Sequence, residues 1–146
     1  MRVLVQRVSR AQVTVEGQVS GAIGPGLVLL IGIRQGDSAE AVRFCAEKCA
    51  HLRIFPDREG KLNHSVLESG GEILAISQFT LYGDCRRGRR PSFTEAAAPD
   101  QAEALYEQFL RELESLGLRP ARGVFGAQML VDIHNEGPVT LLVESP

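Results

Sequence analysis

Tryptophan is absent from the 146 residues, and six phenylalanines and two tyrosines supply all the aromatic bulk. A core must therefore be assembled from aliphatic side chains, of which there is no shortage: apolar residues make up 44% and charged residues 23%. That balance is globular and excludes an intrinsically disordered chain. Long hydrophobic runs are also missing. The longest, Leu27 to Ile31, is far short of the roughly 20 residues that cross a bilayer as a helix. Met1 leads directly into RVLVQRVSR, which alternates instead of running apolar, so no secretory leader is read there. Only three cysteines occur, Cys45, Cys49 and Cys85. Their spacing fits neither a zinc ribbon nor a redox pair, which excludes a disulfide framework and points to a reducing cytoplasm. Charge of one sign is lacking too: 16 basic against 18 acidic side chains leave a net charge of −2. Any contact with nucleic acid must then come from a local patch. No nucleophile elbow, phosphate loop, dinucleotide fingerprint or zinc-protease motif is found, and His51, His64 and His134 show no metal-ligand spacing. No metal or cofactor is expected.

What is present reads as one domain over residues 1–146. Residues 3–8 and 11–16 alternate in the manner of strands, and QVSGAI after Gly17 reads as a hairpin partner of the second. LVLLIGI, apolar on both faces, suits a buried central strand. Behind Asp37 or Ser38 as N-cap, Ala41, Val42, Cys45, Cys49 and Leu52 recur at helical spacing. A turn-rich connection, RIFPDREGKLN, precedes a further strand over Glu72 to Leu81. Residues 85–98 read as a long polar loop, and Pro99 then opens a second helix with an apolar face from Ala102 to Leu116, closed by Gly117. Two strands, 127–134 and 139–143, end the chain. The expectation is an α/β fold of about seven strands and two long helices, layered β/β/α. Two helices cover only one face of a sheet, so the other face needs a second sheet layer or a second subunit. A homodimer is expected on this ground.

Three stretches carry chemistry. Ser77, Gln78, Phe79 and Thr80 end an apolar strand, where mixed folds deliver functional groups. Thr80 has the hydroxyl of a nucleophile but no neighbouring base in the sequence. CRRGRRPSF groups Arg86, Arg87, Arg89 and Arg90 around Gly88. It is either a solvated loop or a set of guanidinium forks for phosphate oxygens. Cys85 beside them is either an ordinary loop residue or a reactive thiol. In NEGPVT, residues 135–140, a glycine and a proline stand together at the mouth of a strand. On spacing alone this is a turn that starts a strand.

Taken together, SQFTL at 77–81, RPSF at 90–93 and NEGPVT at 135–140 resemble the D-aminoacyl-tRNA deacylase family, of the D-tyrosyl-tRNA deacylase type. QRVSRAQVTVEG at 6–17 and GVFGAQMLV at 123–131 are similar to it as well, so the resemblance runs the length of the chain. It implies a metal-free, cytoplasmic homodimeric hydrolase with its active sites at the subunit interface and tRNA as partner. It implies a cis bond between Gly137 and Pro138, inserted into the partner's site. It implies that Ser77, Gln78, Phe79 and Thr80 line the pocket for the aminoacyl-adenosine, with Gly137, Pro138, Val139 and Thr140 contributing to substrate binding.

This chemistry suits the residues. Gly137 lacks a Cβ, so its main chain can approach a ligand closely. A wall of main chain would admit a D-side chain and obstruct an L-side chain whatever its identity. Glycine has no side chain to obstruct, so glycyl-tRNA is an expected second substrate. Backbone N–H groups near Phe79 and Thr80 would serve the oxyanion. Two mechanisms stay open, Thr80 as covalent nucleophile and hydrolysis assisted by the substrate's ribose hydroxyl. The rival classes are a non-catalytic RNA- or peptide-binding module and an acyl hydrolase using Cys85.

Overall fold

A computed structural model describes Met1–Pro146. Its strands are β1 (Arg2–Val15), β2 (Gln18–Ile23), β3 (Gly26–Gly32), β4 (Phe55–Pro56), β5 (Leu62–His64), β6 (Glu72–Ser77), β7 (Ala121–Arg122) and β8 (Leu130–Glu144). Its helices are α1 (Ala39–His51), the single-turn α2 (Val66–Ser69) and α3 (Pro99–Ser115), and a 3-10 turn spans Phe79–Tyr82. No helix is long and apolar enough to cross a membrane.

The long strand β1 organises the sheet. Along one edge its first half pairs antiparallel with β3, from Arg2 opposite Gly32 to Val8 opposite Gly26, and its second half pairs with β2. Along its other edge runs β8. Beyond β3 follow β6 and then β7, both parallel to their neighbours, which makes the sheet mixed. The two strands expected over 3–8 and 11–16 are thus one. The register against β8 slips between Gln6 and Val8 and again between Val8 and Arg10. Irregularities of this kind turn a strand and switch which residues face inward without ending it. The broken alternation at Ser9 and Arg10 is that switch, and it looks like a gap in the sequence. The β1–β2 hairpin turns through Glu16 and Gly17, both at positive φ (50° and 77°), as the tightest hairpins require.

Both faces of β3 and β6 are buried, for different reasons. Leu27, Leu29 and Ile31 of β3 and Ile73 and Ala75 of β6 face α1 and α3 in one core cluster, with Val3 and Val5. The alternate residues Val28, Leu74 and Ile76 join a second cluster with Val8, Ala11 and Val13 of β1 and Ile23 of β2. The distal half of β1 and its hairpin partner therefore cover the sheet face that the helices leave open. Small residues on α1 (Cys45, Ala46, Cys49 and Ala50, all fully buried) bring that helix close to the sheet, and α3 fills the remainder with Tyr106, Phe109 and Leu113. Each of those large side chains contributes about 1.5–3 kcal/mol through removal from water.

Ser38 is the N-cap of α1 but makes no side-chain cap bond. Asp37 is otherwise engaged, accepting from the Met1 ammonium (2.7 Å) and from the Arg34 amide (2.6 Å). Gly117, at φ 94°, ends α3 as expected, while Leu118 N–H reaches back to Leu113 O (3.1 Å).

Candidate active site

The strand expected over Glu72 to Leu81 stops at Ser77. Gln78 still donates its N–H to Ile31 O (2.7 Å), and the chain then coils into the 3-10 turn. Gly32 makes room for this. A Cβ there would come within 3.0 Å of Leu81 Cβ and 3.2 Å of Gln78 O, so the turn lies against the end of β3 only because position 32 has no side chain. Inside the turn Leu81 N–H bonds to Gln78 O (3.2 Å) and Gly83 N–H to Thr80 O (2.9 Å). The N–H groups of Phe79 and Thr80, which open the turn, find no acceptor in the chain, the usual condition of the first donors of any helix.

Ser77, Gln78 and Phe79 line a largely apolar cleft of about 540 Å³, with Phe93, Phe125, Met129 and Val131 among the other walls. The Phe79 and Phe93 rings meet edge to face, centroids 5.2 Å apart. Three stretches distant in sequence, SQFTL, RPSF and GVFGAQMLV, thus converge on one cavity. Thr80 is exposed at its side, and its hydroxyl is hydrogen-bonded by the Gln78 side-chain amide. No histidine, lysine or carboxylate contacts that hydroxyl.

The basic loop is closed at its base, where Asp84 and Ser92 exchange backbone hydrogen bonds (2.7 and 3.0 Å). Its arginines are not equivalent. Arg86 is doubly forked onto Asp84, both contacts at 2.8 Å, and its N–H adds a third bond at 3.0 Å. These contacts hold the Asp84 carboxyl at about 2, below its ordinary value. Arg87, Arg89 and Arg90 are exposed and form no ion pair. Asp84, Arg86, Arg87 and Ser92 line a separate, open depression.

The residues 135–140 lie within β8, which is one element where two strands are expected. Gln6 faces Thr140 and Val8 faces Asn135, so Glu136 to Val139 bulge out opposite Arg7. The Gly137–Pro138 bond is cis. Gly137 has φ 117°, and a Cβ on it would sit 3.0 Å from Val139 Cγ2 and 3.1 Å from Arg7 Nη2. Glu136, Gly137 and Pro138 are exposed, and none of residues 135–140 lines the cleft of the same chain.

Two residues hold this bulge that sequence reasoning did not single out. Asn135 crosses its base. With the side-chain amide oriented to satisfy both ends, it donates to Arg7 O (3.0 Å) and Val139 O (3.2 Å) and accepts from Gln6 Nε2 (3.3 Å) and Thr140 Oγ1 (2.9 Å). Arg7 is a buried cation beneath the bulge, donating to Ile54 O (2.8 Å), with Nε 3.8 Å from Glu136 Oε1 and without a hydrogen-bond partner. A signal for Arg7 exists in the sequence: it continues the inward alternation of Val3 and Val5, where a charge is costly without a purpose.

The family model described as D-Tyr-tRNA(Tyr) deacylase matches residues 4–144. The D-aminoacyl-tRNA deacylase of Heliobacterium modesticaldum is 61% identical over 144 residues, 99% of this chain and 96% of that protein. That of Halalkalibacterium halodurans is 63% identical over 145 residues, 99% of each. Among solved structures, the c-Myc DNA unwinding element binding protein superposes with a TM-score of 0.94 at 42% identity, over 100% of this chain and 99% of that one. A probable eukaryotic D-amino acid tRNA deacylase superposes at 0.84 with 22% identity over 98% of both chains, a likeness of fold.

Proposed function

The chain belongs to the D-Tyr-tRNA(Tyr) deacylase family, and from that premise we propose that it hydrolyses the ester of D-aminoacyl-tRNA, releasing the D-amino acid and intact tRNA in the cytoplasm. The observation that carries the reading is the cleft at Ser77–Phe79 with two uncommitted N–H donors beside it, on a chain that also displays Gly137–Pro138 on its surface.

Water adds to the ester carbonyl carbon, the carbonyl oxygen takes the negative charge, and the bond to the ribose oxygen breaks as that oxygen receives a proton. The Phe79 and Thr80 N–H groups receive the oxyanion. One such donor is worth roughly 3–4 kcal/mol in an acyl-transfer site. Thr80 has no base to deprotonate it, which favours water oriented by the ribose hydroxyl of the terminal adenosine over a covalent route. Thr80→Ala on D-tyrosyl-tRNA separates the two: retained turnover is expected, and near-complete loss with an intact fold would establish the nucleophile.

The exposed Gly137–Pro138 main chain is assigned to the cleft of a second protomer, where it obstructs L-side chains. The sheet face beside it supports a homodimer. Leu4, Leu30 and Leu142 stand in register across β1, β3 and β8, none of them buried. Release of amino acid from D-tyrosyl-tRNA but not from L-tyrosyl-tRNA tests the function directly, and release of neither would leave only a binding protein. Glycyl-tRNA is expected to be cleaved. Arg87, Arg89 and Arg90 are assigned to phosphates of the acceptor end, with Arg86 bracing the loop. Replacing all three by alanine should flatten the salt dependence of tRNA binding by about two to three phosphate contacts, and an unchanged slope would remove the assignment.

A further inference from the structure

Leu81 O, near the end of the 3-10 turn, receives no backbone donor. It is instead taken by Arg2 Nη1 at 3.0 Å. The geometry behind this contact is specific. Arg2 lies opposite Gly32 on one side and Glu144 on the other. With no side chain at Gly32, the arginine has open space across the end of β3 toward the turn. Its Nε is held by Glu144 Oε1 at 2.6 Å, and its guanidinium stands 4.7 Å from the centroid of the Tyr82 ring, itself in the turn and buried. The guanidinium thus bonds a carboxylate and a carbonyl at once while stacking on an aromatic, a combination that a lysine ammonium does not reproduce.

We propose that Arg2 is a positioning residue for the deacylase reaction, anchoring the end of the Phe79–Tyr82 turn so that the two donors at its start stay aimed at the oxyanion. Three of the turn's attachments run to the sheet: Gln78 N–H to Ile31 O, Leu81 against Gly32, and Arg2 to Leu81 O. The first two fix its beginning and its underside. At its far end Arg2 supplies the one side-chain hydrogen bond to a turn carbonyl, beside the buried Tyr82 ring and the Asp84–Ser92 backbone pair that follows the turn, so its removal loosens the turn between those supports. Arg2 is partly exposed, and an ion pair in that position adds little to global stability. Its effect is therefore expected in rate and not in folding. The inference rests on the reading of the Phe79 and Thr80 N–H groups as oxyanion donors.

Arg2→Gln is expected to lower kcat about tenfold with KM within about twofold of the parent, the signature of an interaction felt in the transition state only. Arg2→Lys should fall between the two, since an ammonium reaches the carbonyl or Glu144 but not both. Amide exchange provides a readout free of catalysis. In Arg2→Gln the Leu81 and Gly83 amides, bonded within the turn, should exchange about tenfold faster while Leu29 in β3 is unaffected. An unchanged kcat, a loss that appears in KM, or a loss matched by a fall in Tm or in the dimer fraction would overturn the proposal. Were the parent itself to hydrolyse no D-aminoacyl-tRNA, the deacylase reading would fall. Unaltered exchange at Leu81 and Gly83 would then dismiss the anchor, and faster exchange would retain it as a restraint on the turn without a catalytic role.

Discussion

Gly137 is the residue on which substitution is expected to be most informative. Its φ of 117° belongs to a region that side chains disfavour, and an added Cβ meets Val139 and Arg7 at 3.0–3.1 Å. An alanine there costs about 1–3 kcal/mol in local strain, and the exposed bulge can relieve it only by moving. Gly137→Ala is therefore expected to fold but to lose at least about tenfold in kcat/KM on D-tyrosyl-tRNA, measured by release of labelled amino acid. Parent-like activity would separate the bulge from catalysis. A second residue-scale prediction concerns Asp84, whose carboxyl the Arg86 fork holds at about 2. Because the folded value lies below the ordinary one, the fork's contribution is complete above the ordinary carboxylate range and is lost as pH falls through about 2. The loop geometry should accordingly be constant from neutral pH down to about pH 4. An NMR titration of the Asp84 carboxyl carbon checks this, and a midpoint near the ordinary value of 3.8 would show the fork to be open in solution.

At the scale of elements, the joints matter more than the spans. α1 and α3 follow from apolar spacing, and α3 from Pro99 and Gly117 as well. Strand β3 follows from an unbroken apolar run. The end of β6 does not follow, because EILAISQFTL keeps its apolar character through the point where the backbone coils, and what turns it is the missing side chain of Gly32 on a neighbouring strand. The β6 backbone is also bound to α3 by a single polar contact, Tyr106 hydroxyl to Ala75 O at 2.9 Å. Burial pushes that phenol up to about 12, so it remains a donor across the physiological range. Tyr106→Phe leaves the carbonyl with only a long bond from Gly123 N–H (3.4 Å). It should destabilise by about 1–2 kcal/mol, read as a lower urea midpoint at unchanged slope. A neutral result would mean that water replaces the hydroxyl there.

For the whole molecule, the decisive fact is that the cleft and the Gly137–Pro138 bulge of one chain lie apart. A site needing both is complete only between two copies. Leu4, Leu30 and Leu142 lie where the second core cluster leaves its sheet face incompletely covered, next to the bulge; Leu4 and Leu30 are half-buried and Leu142 is 51% exposed. In the proposed homodimer, Leu142→Lys should place a charge on that face, give a monomer by analytical ultracentrifugation where the parent gives a dimer, and abolish deacylation with the monomer still folded. An active monomer would show the cleft to be self-sufficient and would reassign the bulge. The same view explains why Arg7 and Asn135 escape a reading of the sequence: each acts on a bulge whose partner strand is 120 or more residues away in the chain.

What the amino-acid sequence determined by itself was the material of the fold and the identity of its chemistry. An aliphatic core, helices with one apolar face, strands apolar on both, and motifs that bring the family into view are local or compositional properties, and local properties survive in a linear text. Tertiary structure alone decided that SQFTL, RPSF and GVFGAQMLV share one cavity, that β1 changes face without ending, that Arg86 is spent on Asp84, and that Arg2 reaches Leu81. Each of these depends on distances between residues far apart in the chain. Such distances are fixed by strand register and by the space that a glycine leaves, neither of which is written at any single position.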